Sequence, residues 1–201
     1  MELVAGIGLV TCLAAIFGIA ALAGAWRPPS SARRQRFHAR AFVAFAERAA
    51  ADGWRVEETS DPRVDEAAAL AKARLCLPEG LELWAACSRA EGERIVHLYQ
   101  YGAVEAGGPR VAAVLEREHV VDAYAVEVTR MGVSAKGRLP GIADEEVAAL
   151  LRSLPGPARF VAGDQQLCVA LDGLLGRDLA TRVLAVLREL DRRISTRPTR
   201  W

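Results

Sequence analysis

The stretch Leu81-Glu82-Leu83-Trp84-Ala85-Ala86-Cys87-Ser88, then Glu91-Gly92-Glu93, then Arg94-Ile95-Val96-His97-Leu98-Tyr99-Gln100-Tyr101 decides the fold class. Side chains alternate in character with period two along both runs, and a short glycine turn joins them, so the pair predicts neighbouring antiparallel strands. Working outward, Trp54 to Glu57, Arg74 to Leu77, Arg110 to Arg117 and Tyr124 to Thr129 predict further strands, with Ala106-Gly107-Gly108-Pro109 as a turn. Arg159 to Ala162 and Gln166 to Leu171, joined by Gly163-Asp164, predict a hairpin.

Helical periodicity surrounds these strands. Pro28 and Pro29 break the segment before them, Ser30 or Ser31 caps a helix to about Ala51, and Phe37, Ala41, Phe42, Phe45 and Ala49 recur along it at helical spacing. Asp61 before Pro62 starts a helix over Val64 to Arg74, with Leu70 on its apolar side. Asp144 caps a helix burying Val147, Leu150, Leu151 and Leu154, and Asp178 caps a last one with Leu179, Val183, Val186, Leu187, Leu190 and Ile194 on one stripe. The expectation is an α+β fold: an N-terminal transmembrane helix, then an antiparallel sheet with helices packed on one face.

The transmembrane assignment rests on Leu3 to Ala25, 23 residues without an ionisable side chain. At about 1.5 Å per residue such a helix crosses a hydrocarbon core of roughly 30 Å. Trp26, Arg27, Arg33, Arg34 and Arg36 are the membrane-interface residues: an amphipathic ring at headgroup level, then cations that resist translocation. The domain behind them is therefore expected in the cytoplasm. Ala23-Gly24-Ala25 has the small residues of a signal cleavage site, but the run is long and lacks a basic start. The organisation is 1–26 anchor, 27–53 basic hinge and amphipathic helix, 54–195 α+β domain and 196–201 tail. Ala14 with Gly18 and Ala20 with Gly24 would let two anchors approach closely, so a homo-oligomer is one expectation.

Composition narrows the chemistry. Lys and Arg number 26 against 25 Asp and Glu, a formal charge of +1, which does not suggest a nucleic-acid surface. Beyond Cys12 in the apolar run, Cys76, Cys87 and Cys168 are too scattered for a zinc cluster or a disulfide framework and are expected as buried reduced thiols. Gly132-Val133-Ser134-Ala135-Lys136-Gly137-Arg138 has the glycine spacing of a phosphate loop, but Arg138 and Leu139 occupy the positions of its lysine and hydroxyl, so an exposed loop is expected. His38, His97 and His119 have no partner at metal-pair spacing, and Ser88, Ser134 and Ser153 lack a nucleophile elbow. Glu116, Glu118 and Asp122 are expected as a solvated strand end. No catalytic, cofactor-binding or metal residue is assigned, and an enzyme is not expected.

The anchor, the basic hinge, the alanine-rich helix closing at Asp52-Gly53-Trp54, the strand with Leu98-Tyr99-Gln100-Tyr101 and the final amphipathic helix resemble uncharacterised bacterial single-pass membrane-anchored domains. That resemblance implies no reaction and no cofactor. The expected function is a membrane-anchored cytoplasmic interaction or scaffold module, its partners the lipid bilayer and another protein. The alternative is a small-molecule sensor or enzyme, marked by a deep pocket joining His97 or His119 to Glu116 and Glu118.

Overall fold

The computed structural model describes residues 45, 47–103, 108–139 and 142–195. The expected anchor, the expected interface residues Trp26, Arg27, Arg33, Arg34 and Arg36, most of the expected hinge and the tail lie outside the described residues. Among those described, no helix is long and apolar enough to cross a membrane.

A helical segment over residues 47–51 comes first. It is followed by β1 (Arg55–Glu57), α1 (Pro62–Arg74), β2 (Leu81–Glu91), β3 (Arg94–Ala103), β4 (Arg110–Val128), β5 (Val133–Gly137), α2 (Asp144–Arg152), β6 (Ala158–Asp172) and α3 (Arg177–Ser195). The fold is α+β, with a six-stranded antiparallel sheet. β4 is its spine. β6 pairs along both halves of β4, from Arg110 opposite Asp172 to Val128 opposite Ala158. β3 and β5 therefore share the other edge of β4, on its first and last parts.

Helices cover both faces, not the one expected. Val111, Ala113 and Leu115 of β4 point into a core with Val147 and Leu151 of α2 and Val183, Leu187 and Leu190 of α3. Ala112 and Val114 point the other way, into a second core with Ala68 and Ala71 of α1, Tyr99 and Tyr101. A strand alternates sides at each residue, so covering both sides requires the continuous apolar run that 111–115 carries. α1 lies close to the sheet because its inward residues are alanines; Leu70, expected inside, is 47% exposed. The buried Tyr101 hydroxyl donates to the carbonyl of Ala68 at 2.7 Å, tying helix to sheet.

Other expectations are corrected. Arg74 to Leu77 is no strand: α1 runs through Arg74, with Leu75 as C-cap and Cys76 at φ 49° in the turn. Cys76 is exposed, while Cys87 and Cys168 are buried. The two strands expected within 110–129 are one, its register shifting between Glu116 and Tyr124. The expected hairpin is also one strand, β6; Gly163-Asp164 faces that shift, and Arg74 holds the distortion through the Gly163 carbonyl at 3.1 Å and the Asp164 carboxylate at 2.6 Å. The expected loop at 132–138 contains the exposed edge strand β5. The N-cap of α2 is Ala143, and Asp144 in the first turn instead accepts from the Tyr124 hydroxyl at 2.7 Å. Asp178 lies within the first turn of α3.

Candidate functional site

A cleft of about 570 Å³ opens between the end of the 47–51 helix, β2 and the start of α3. Its first wall begins with a helix stop. Gly53 at φ +81° donates to the Ala50 carbonyl and Trp54 donates to that of Ala49, so the orphan carbonyls are satisfied and the chain reverses. This places the Trp54 ring in the core edge, 6% exposed, and leaves the Asp52 carboxylate on the rim.

The opposite wall is set from β3, on the face of the sheet that α3 covers. Gln100 is 3% exposed, and its side-chain nitrogen donates to the carbonyls of Arg110 at 3.0 Å and Gly173 at 3.3 Å. Its side-chain oxygen accepts from the amide of Leu175. One buried amide thus fixes the approach to α3, after which Arg177, Thr181, Leu184 and Arg188 follow along one face of the helix and line the cleft.

Four arginines line it, Arg48, Arg89, Arg177 and Arg188, together with the apolar side chains of Trp54, Leu175 and Leu184. Arg89 lies 4.7 Å from the centre of the Trp54 ring, a cation–π arrangement that leaves part of the guanidinium available to other partners. Glu91 receives hydrogen bonds from Arg89 Nε at 2.9 Å and Arg188 Nε at 2.9 Å. Burial alone would raise the Glu91 carboxyl, but hydrogen bonds from Arg188 and Arg89 and their charges hold it below its usual value. Asp52 lies 3.3 Å from Arg177. Arg89, Arg177 and Arg188 are thus held by two carboxylates, three cations against two anions, as fixed, planar donors suited to carboxylate or phosphate.

The sequence candidates lie elsewhere. His97 stacks on Tyr99 at 6.0 Å between ring centres, on the α1 face, and its Nε2 is 3.4 Å from Glu116. Glu116 is half-exposed, so His97 and Glu116 form a surface pair. Glu118 borders a separate cavity of about 440 Å³ near Glu91 and Asp191. His38 and the side chain of His119 lie outside the described residues. Among the described residues no group of three His, Cys, Asp or Glu side chains is placed to hold a metal ion.

Sequence reading missed the cleft because its cations come from three separate segments. The visible signals were the helix stop Asp52-Gly53-Trp54 and the spacing of Arg177, Thr181, Leu184 and Arg188 on one helix face. Comparison with protein-family models, with curated proteins and with solved structures finds no match to this chain in any of the three.

Proposed function

We propose that this chain is a membrane-anchored cytoplasmic interaction module, held by residues 3–25, whose domain recognises an acidic and partly apolar segment of a partner protein in the Trp54 cleft. The carrying observation is a cleft lined by Arg89, Arg177 and Arg188 beside the apolar Trp54, Leu175 and Leu184. Cations select acidic side chains and raise the association rate, while the floor accepts an apolar residue beside them. The 23-residue apolar run and the arginines behind it support attachment and a cytoplasmic orientation.

The test is site-specific photo-crosslinking in cells, with the reactive group at Thr181 inside the cleft or at Glu79, outside it. A protein adduct formed from position 181 alone, and lost in the Arg177→Glu, Arg188→Glu variant, is the expected result. Adducts independent of position, or unchanged by charge reversal, would overturn the reading.

A second reading is favoured by concavity: a cleft of about 570 Å³ is within the range of small-molecule sites. A small carboxylated or phosphorylated ligand would then fill it, and thermal stabilisation of the purified chain by such compounds, abolished by the same charge reversal, separates this from the protein-partner reading.

A further inference from the structure

Arg89, Arg177 and Arg188 are held in the Trp54 cleft to different degrees. Arg89 is pinned from three sides: its guanidinium lies over Trp54, its Nε donates to Glu91 at 2.9 Å, and its Nη1 donates to the Asp52 carbonyl at 3.4 Å. Arg188 Nε donates to the same Glu91 carboxylate at 2.9 Å. Arg177 has a looser hold. Among the described residues its guanidinium meets Asp52 alone, with Nη2 3.3 Å from Oδ1 and Nε 3.3 Å from Oδ2, and its side chain is 69% exposed.

Asp52 is in turn fixed by the chain around it. Its amide donates to the Ala49 carbonyl at 3.0 Å as the helix ends, and Trp54, two residues on, is buried beneath Arg89. The carboxylate therefore meets Arg177 without the loss of freedom that a separate acidic segment suffers on binding. Asp52 presents to the cleft what an acidic partner residue would present, a carboxylate to one arginine and a backbone carbonyl to another.

We infer that Asp52 is an internal competitor for the acidic partner of this cleft: it masks Arg177 in the free chain, and a bound carboxylate takes Arg177 in its place. The inference rests on the reading of the cleft as a site for an acidic segment. Arg177 is the side chain that changes partner, because its hold is exposed and long, while Arg89 and Arg188 stay on the partly buried Glu91. An exposed pair of this kind is weak, so the mask lowers affinity about two- to fivefold and still yields to a partner. It also sharpens selection. A lone carboxylate only exchanges one ion pair for another, so the cleft favours segments that reach Arg177 and make a further contact beside it.

The test measures binding of a fluorescein-labelled Glu-Leu-Glu-Glu-Leu-Glu peptide to the full chain in neutral detergent by fluorescence anisotropy. Asp52→Asn should bind it about two- to fivefold more tightly than the parent, and the gain should vanish when Arg177→Gln is combined with Asp52→Asn. A gain that persists without Arg177 would reflect net charge alone and would overturn the inference, as would an Asp52→Asn affinity equal to or below the parent's. The Arg177→Glu, Arg188→Glu variant separates the two levels. If it binds the peptide as the parent does, the cleft reading fails and the mask falls with it; if it loses the peptide while Asp52→Asn binds no tighter, the mask alone fails.

Discussion

Arg117 Nε on β4 lies 3.1 Å from Asp191 Oδ1 on α3, and both side chains are about nine-tenths buried. Asp191 also receives Arg94 Nη1, and Arg117 reaches Ser195 Oγ at 2.9 Å. Burial pulls Arg117 below the usual arginine value and Asp191 opposes that pull, while Arg117 Nη1 has no hydrogen-bond partner among the described residues. The pair fixes the α3 register at the expense of desolvating two charges. Asp191→Ala should therefore cost about 3–5 kcal/mol, because a buried cation is left unpaired, whereas the joint replacement Asp191→Leu, Arg117→Met should recover most of that loss. Chemical unfolding of the three proteins in the same detergent measures this. Equal destabilisation by the single and joint replacements would show that the side-chain shape, and not the charge, is what α3 requires.

Gly102 and Trp84 make a second prediction. β2 and β3 shift register between Leu83 and Ala85, and the Trp84 ring lies where a Cβ at 102 would stand. Gly102→Ala should destabilise by about 1–3 kcal/mol through overpacking. In a Trp84→Ala background the same change should be nearly neutral, so the two substitutions must be non-additive in a double-mutant cycle. Additive effects would contradict the contact.

These two contacts mark what the sequence left hidden. α3 was legible because Val183, Val186, Leu187 and Leu190 repeat at helical spacing, and β2–β3 was legible because Glu91-Gly92-Glu93 gives a local turn. β4 and β6 were each read as two strands because the charged residues after Leu115 and the Gly163-Asp164 pair carry turn chemistry. Tertiary pairing overrides that chemistry, with the matching distortions of the two strands facing each other and Asp164 tolerating φ 50°. The cleft was illegible for a different reason. Its geometry depends on Gln100 reaching Gly173 and Leu175 across more than seventy residues, and no local pattern encodes such a contact.

Glu91 links stability to recognition. Its folded-state carboxyl is held below the ordinary value, so its contribution to stability is present above the unfolded carboxylate value near pH ~4.3 and is lost as pH falls through the lower folded value. Glu91→Gln should lower the melting temperature at pH 7 and flatten its decline between about pH 5 and pH 3. The same change frees hydrogen-bond donors on Arg89 and Arg188, so an acidic peptide should bind the variant more tightly than the parent. A melting profile parallel to the parent's would exclude the proposed linkage.

The cysteines supply a native reporter of orientation. Burial, with Glu57 adding to it, pushes the Cys87 thiol up to about 12, and burial pushes Cys168 up to about 12 against the opposing charge of Arg74. Neither thiol is then appreciably ionised near pH 7.5, and neither is accessible, so both should resist alkylation in the folded domain. Cys76 is exposed and should react with a maleimide within minutes. With Cys12 replaced by Ala, a membrane-impermeant maleimide applied to intact cells therefore reports on one position. A cytoplasmic domain predicts no labelling until the membrane is opened, then modification of a single thiol that Cys76→Ser abolishes. Labelling of intact cells would place the domain on the outer side of the membrane and move the search for the proposed acidic partner there.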